Sequence, residues 1–247
     1  MSRNTYVLVP GAWHGGWCWA RVARELELAG HRVVTPELPG CARGNEEPVA
    51  ISLEDWVAAI GEVVGQQREP VLLVGHSRGG IVISQVAERM PDRVAGLFYV
   101  AGFLLRHRES VLRVLREEEG DSPFLRNVTL SPDGSRWLLA EGSAERLFYG
   151  ECPAEDVQLA LSRLGTEPAA PMMKPLQLSE ERFGRVPRIY VECLRDAAVP
   201  LALQRKMQCR LPCRRVVALD TGHAPFLSAP AALTAALRVP ADGVSRR

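Results

Sequence analysis

A serine placed between glycines at a fixed spacing is the first candidate for chemistry in this sequence. The segment from Val74 to Gly80 contains Gly-x-Ser-x-Gly, with Ser77 at its centre and Gly75 and Gly79 two residues away on either side. A continuous apolar run precedes it and a helical pattern follows, which predicts a sharp strand-to-helix turn. Such a turn exposes the serine hydroxyl, and the glycines leave room for the crowded backbone. Ser77 is therefore predicted to be a nucleophile.

A histidine and a carboxylate that could activate this serine follow two later predicted strands. His223 is the candidate base, because imidazole has an unperturbed pKa near the working pH and can accept and return a proton. Asp196 is the candidate acid that orients the ring and stabilises the imidazolium. Three other acids compete for this role: Glu192 lies within a strand, Asp220 is too close in sequence to the histidine, and Asp92 follows a helix at the wrong sheet end.

The glycine-rich loop after the first predicted strand could hold an oxyanion. The backbone N–H groups of Ala12 and Arg78 are the candidate donors, and Gly11 lets the chain approach the substrate oxygen. His14 and His76 are interpreted as a turn residue and as packing at the serine turn. The residues expected to line a substrate pocket are apolar: Trp13, Phe103, Trp137, Phe148, Met172 and Phe226.

Alternating strand and helix patterns supply the elements that must position these residues. They predict a parallel, doubly wound sheet in residues 1–102 and 186–240. Residues 103–185 interrupt this order and are expected to form a cap, with a small hairpin at 128–139 and helical patches around Ala144, Ala154 and Ser179. Residues 241–247 are expected to be a flexible tail.

Composition excludes several other classes of function. The chain of 247 residues has a formal net charge of +1, which gives no electrostatic footprint for nucleic acid. No apolar stretch approaches the ~20 residues of a membrane span, so a cytoplasmic protein is expected. The six cysteines are interpreted as reduced thiols, and neither a metal nor an organic cofactor is expected. The expected partner is a small-molecule substrate, with a homodimer as a further possibility.

The motifs together resemble the α/β-hydrolase superfamily, and within it the branch of plant methylesterases, hydroxynitrile lyases and their bacterial relatives. The resemblance is carried by the segment from Leu8 to Trp19, by Gly-His-Ser-Arg-Gly-Gly, and by Thr-Gly-His-Ala-Pro-Phe-Leu-Ser, and it extends from about Tyr6 to Leu237. It implies a cap of helices with a small β-hairpin, and it places the nucleophile, acid and base on Ser77, Asp196 and His223. Its two backbone oxyanion donors fall on Ala12 and Arg78.

Two departures from that branch bear on the reaction. Many members have a histidine where this chain has Pro10. The hydroxynitrile lyases of the branch carry a threonine at the position of Gly11 and a lysine at the position of Ala224. Because this chain lacks the lysine that would stabilise cyanide, hydrolysis of a small or medium, largely apolar carboxylic ester is favoured. Two alternatives stay open: a lyase or cyclase that uses the same triad, and a ligand-binding protein with a vestigial triad.

Overall fold

A computed structural model describes residues 3–44, 50–118 and 122–239, so the predicted tail at 241–247 lies outside the described residues. Six strands form one sheet: β1 Thr5–Val9, β2 Arg32–Val34, β3 Val71–His76, β4 Val94–Val100, β8 Arg188–Cys193 and β9 Arg215–Leu219. Their order in the sheet is β2-β1-β3-β4-β8-β9, and every neighbouring pair is parallel. All six residues of β3 are buried, as expected for a parallel strand covered on both faces.

The helices around the sheet are amphipathic or apolar and pack in pairs. Helix α1 (Ala20–Leu28) contacts α10 (Pro230–Leu237), and α2 (Leu53–Gly65) contacts α3 (Gly79–Arg89). Ser52 caps α2, since its hydroxyl accepts a hydrogen bond from the amide of Asp55 and the Asp55 carboxylate accepts one from the amide of Ser52. Helices α8 (Leu201–Arg210) and α9 (Pro225–Ser228) follow β8 and β9.

The chain between β4 and β8 forms a second, smaller sheet with its own helices. Strands β5 (Val128–Leu130) and β6 (Arg136–Leu139) form the predicted hairpin, with Leu130 opposite Trp137. A third strand, β7 (Glu167–Pro168), pairs antiparallel with β6. The helices here are α4 (Val111–Glu118), α5 (Ser143–Phe148), α6 (Ala154–Leu161) and α7 (Ala170–Met173). We call this segment the cap; its exact boundaries at 103 and 185 stay a prediction.

The predicted helical patch around Ser179 is wrong. This residue lies in irregular chain, where its amide and hydroxyl both donate to the carboxylate of Glu88 in α3. Local hydrogen bonding of this kind competes with helix formation. A short 3₁₀ turn, Phe183–Arg185, follows instead.

Candidate active site

The turn between β3 and α3 holds Ser77 in a strained conformation. Ser77 has a φ of 49°, in the left-handed region that a non-glycine residue rarely adopts. Its amide donates to the carbonyl of Val100 at 3.1 Å, and its carbonyl accepts from Phe103 at 3.0 Å. A Cβ atom at Gly75 would lie 2.7 Å from the carbonyl oxygen of Gly79, which explains why this crowded turn requires glycine.

His223 and Asp196 form a buried pair beside this turn. Nδ1 of His223 lies 2.7 Å from Oδ2 of Asp196, and both side chains are almost completely buried. Because a carboxylate can only accept, Nδ1 carries the proton and Nε2 of the neutral ring is left as an acceptor. Oδ1 of Asp196 accepts the amides of Ala198 and Val199, each at 2.8 Å, which fixes the carboxylate.

His76 joins the base to the serine turn, a role that the sequence did not indicate. Its ring centroid lies 4.5 Å from that of His223, and its Nε2 donates to the His223 carbonyl at 2.8 Å. His76 directly precedes Ser77, so the imidazole base lies against the nucleophile's own neighbour. Among the contacts of the described residues, no hydrogen bond joins the Ser77 hydroxyl to His223; such bonds are often long before substrate binds.

The loop after β1 approaches the serine closely. A Cβ atom at Gly11 would lie 3.0 Å from Cβ of Ser77 and 2.5 Å from Nδ1 of His76, so only glycine allows this approach. In the part of the chain that the structure describes, the amides of Ala12 and Arg78 donate to no protein acceptor. Two backbone donors beside a serine can stabilise the negative oxygen of a tetrahedral intermediate.

A buried histidine joins this loop to the cap. Nδ1 of His14 lies 2.7 Å from the carbonyl oxygen of Ala12, and its Nε2 lies 2.7 Å from the hydroxyl of Tyr149 in the cap. Burial lowers the pKa of His14 to about 3, so the ring stays neutral. Neutral His14 therefore donates to Ala12 and accepts from Tyr149. His14 closes a turn, as the sequence predicted, since its amide donates to the carbonyl of Gly11 at 3.3 Å, and its ring in addition fixes the loop.

A cluster of aromatic rings lies beside the base, and three of the six predicted lining residues belong to it. Phe148 lies 5.6 Å from His223 and 5.9 Å from Trp13 between ring centroids, and Phe226 lies 5.0 Å from His76. Phe124, which the sequence analysis missed, lies 5.9 Å from Trp13. Phe103, Trp137 and Met172 are buried, and the first two share no ring contact with this cluster in the described chain. Their role as lining residues stays a prediction.

Two further cavities and the free cysteines are other candidate sites in the described part of the chain. Two surface cavities of about 450 and 430 Å³ lie along α3 and α4, and the residues lining them include none of the site. Within the described ranges no group of three histidine, cysteine or acidic residues could hold a metal ion. All six cysteines are free. No helix in those ranges is long and apolar enough to cross a membrane.

A sheet of this order, with a serine turn after β3 and an imidazole–carboxylate pair after β8 and β9, defines an α/β hydrolase. The chain belongs to this family: the model of the alpha/beta hydrolase family matches residues 6–237. The predicted family and fold are thereby confirmed.

Several similar proteins are named as esterases or hydrolases. The chain is 32% identical to the pyrethroid hydrolase of Sphingobium wenxiniae, over 98% of this chain and 89% of that protein. It is 31% identical to methylesterase 7 of Arabidopsis thaliana, over 98% and 97% of the two chains. Other Arabidopsis relatives are longer, and the chain spans 63% of one of them. A crystal structure of a pyrethroid hydrolase from Sphingobium faniae JZ-2 superposes with a TM-score of 0.88 at 29% identity, covering 98% of each chain. These names support the predicted class of enzyme, a carboxylic-ester hydrolase.

Proposed function

We propose that this protein hydrolyses small or medium, largely apolar carboxylic esters through an acyl-enzyme on Ser77. The observation that carries the proposal is the buried His223–Asp196 pair beside a serine in strained backbone conformation. Strain of this kind is found where a side chain must be presented for chemistry. The names of the esterase relatives support the reaction class.

The proposed reaction has two half-reactions. Nε2 of His223 accepts the Ser77 proton as the serine oxygen bonds to the ester carbonyl carbon, and the amides of Ala12 and Arg78 hold the resulting oxyanion. The imidazolium then protonates the departing alcohol as the ester C–O bond breaks. Water, deprotonated by His223, attacks the acyl carbon and releases the acid and Ser77.

The aromatic cluster beside the base favours an uncharged substrate. The ring of Trp13 lies 5.9 Å from those of Phe124 and Phe148, and Phe148 lies 5.6 Å from His223. Such rings bury apolar acyl or alkyl groups well. Charged esters would lose their hydration there without compensation. We expect turnover of p-nitrophenyl butyrate to exceed that of the p-nitrophenyl monoester of succinate, a substrate of comparable size with a free carboxylate.

The decisive experiment compares Ser77→Ala with Ser84→Ala. Ser84 is a buried serine in α3 whose hydroxyl donates to Gly80 and contacts Tyr99, away from the site. Ser77→Ala should abolish turnover of p-nitrophenyl butyrate and labelling by a fluorophosphonate, and Ser84→Ala should retain both. Undiminished turnover in folded Ser77→Ala would refute the proposal. Absence of fluorophosphonate labelling in folded wild-type protein would favour the binding-protein alternative, because a vestigial triad does not activate Ser77. Product formation without an acyl group on Ser77 in mass spectra would favour the lyase alternative.

A further inference from the structure

A fully buried ion pair connects the serine turn to the cap. The side chains of Arg78 and Glu167 are 1% and 0% exposed, and Nε of Arg78 lies 3.0 Å from Oε1 of Glu167. Nη2 donates to Oε2 at 3.1 Å. The guanidinium carbon lies 4.1 Å from the ring centroid of Trp56 in α2, so the indole stacks on the cation. Arg78 follows the nucleophile directly, whereas Glu167 belongs to cap strand β7.

This ion pair binds the loop after β1 on both sides of Ala12, the proposed oxyanion donor. We call residues 10–13 the oxyanion loop. Nη2 of Arg78 donates to the carbonyl of Gly11 at 2.8 Å, and Oε2 of Glu167 accepts the amide of Trp13 at 3.1 Å. The amide of Ala12 lies between these two fixed backbone groups.

The conformation of the loop shows why it needs an anchor. Trp13 has a φ of 59°, an unfavourable left-handed conformation for a bulky residue. Its carbonyl accepts the amide of Gly165 at 2.8 Å, so both backbone groups of Trp13 bind the cap segment 165–167. Without those contacts, Trp13 could relax to an ordinary conformation, and the neighbouring amide of Ala12 would turn with it.

We infer that Glu167 and Arg78 are positioning residues for the oxyanion hole, so that cap strand β7 takes part in organising the catalytic site. This inference rests on the proposed function. Neither side chain touches the reacting atoms; both act through the backbone of the oxyanion loop. Displacing a catalytic group by about 1 Å can cost ~10²-fold in rate, so loss of the anchor should lower kcat.

The test compares four variants by kcat and KM for p-nitrophenyl butyrate. Glu167→Leu removes the acceptor of the Trp13 amide and should lower kcat by about 10- to 100-fold, with KM within about threefold of wild type. Glu167→Gln keeps an acceptor oxygen and should recover most of that loss. Arg78→Met/Glu167→Leu leaves no unpaired charge and should regain stability over Glu167→Leu alone, because apolar pairs often replace buried ion pairs without loss. Its kcat should nevertheless stay low.

Asp156→Asn is the matched control, because it weakens another ion pair between core and cap. Asp156 in α6 binds Arg21 of α1 at 2.5 and 2.7 Å, and among the described residues its side chain has no hydrogen bond to the oxyanion loop. This variant should be less stable but should keep the wild-type kcat. A wild-type kcat in folded Glu167→Leu, or in the double variant, would overturn the inference, since the pair would then be structural only.

Hydrogen–deuterium exchange separates this inference from the proposed function. The peptide covering residues 11–14 should exchange faster in Glu167→Leu than in wild type, because the Trp13 amide loses its acceptor, and should be unchanged in Asp156→Asn. This readout needs no turnover. If wild-type protein hydrolysed no ester, the proposed function would fail, whereas the exchange rates would still show whether Glu167 anchors the loop. Equal exchange in Glu167→Leu and wild type would overturn it.

Discussion

Replacing Asp196 by asparagine tests how the structure sets the tautomer of His223. Oδ1 of Asp196 accepts the amides of Ala198 and Val199, while Oδ2 faces Nδ1 of the imidazole at 2.7 Å. Because those amides require an oxygen, asparagine must place its NH₂ group toward the ring. Two donors cannot share that contact, so Nδ1 becomes an acceptor and the ring proton moves to Nε2. Nε2 can then no longer accept the proton of Ser77.

The expected effect is a loss of kcat by about four orders of magnitude, as a wrong tautomer produces in serine hydrolases with this triad. At about 1.4 kcal/mol per factor of ten, this is ~5 kcal/mol of transition-state stabilisation. The fold should persist, because both loop amides keep their acceptor oxygen. The assay is kcat for p-nitrophenyl butyrate, together with a urea unfolding curve.

Glu192→Gln is the control for Asp196→Asn. Glu192 is a buried carboxylate at the same end of β8, but it binds Arg205 at 3.2 Å and Gln208 at 3.0 Å. Its replacement should leave kcat unchanged. A folded Asp196→Asn variant that retained more than about a tenth of wild-type kcat would refute the tautomer argument, since one factor of ten is only about 1.4 kcal/mol.

Two further predictions concern stability, measured by urea unfolding. Gly79→Ala should destabilise the protein by about 1–3 kcal/mol, because its Cβ would lie 2.8 Å from the carbonyl oxygen of Val9, whereas Gly65→Ala has open space and should be neutral or stabilising. Equal stability of the two variants would contradict this. Burial lowers the pKa of His14 to about 3 from its ordinary 6.5. The neutral ring therefore contributes fully to the free energy of unfolding above pH 6.5, and this contribution is lost as the pH falls towards 3. Unfolding free energy should drop by about 2 kcal/mol from this residue between pH 7 and pH 5, and a His14→Gln variant with the same pH dependence as wild type would disprove this.

The elements nearest the chemistry were predictable because their signals are local. The apolar strand before Ser77 and the helix after it, Gly79–Arg89, lie where the sequence predicts them, since apolar continuity and glycine positions lie within this short segment. Ser77, Asp196 and His223 each follow a strand of one parallel sheet, so their side chains come from the same edge. Their roles in catalysis stay predictions.

The cap was harder to predict because its structure depends on distant partners. Strand β7 has two residues, one of them proline, and therefore carries no alternation that a sequence could show. Helix α7 has only four residues. Glu167 is 0% exposed and pairs with a residue 89 positions away, whereas an isolated glutamate in sequence is expected at the surface.

Stability alone does not account for the pair formed by Arg78 and Glu167. Burial raises the pKa of Glu167 even though Arg78 opposes this, so removing the carboxylate from water outweighs its attraction to the guanidinium. Ion pairs of this kind are often no better for stability than well-packed apolar residues. What an apolar pair could not provide is a donor for the carbonyl of Gly11 together with an acceptor for the amide of Trp13. A fixed geometry at the oxyanion loop is therefore the physical property that distinguishes this pair from an apolar replacement, and it is the property that kcat of the double variant measures.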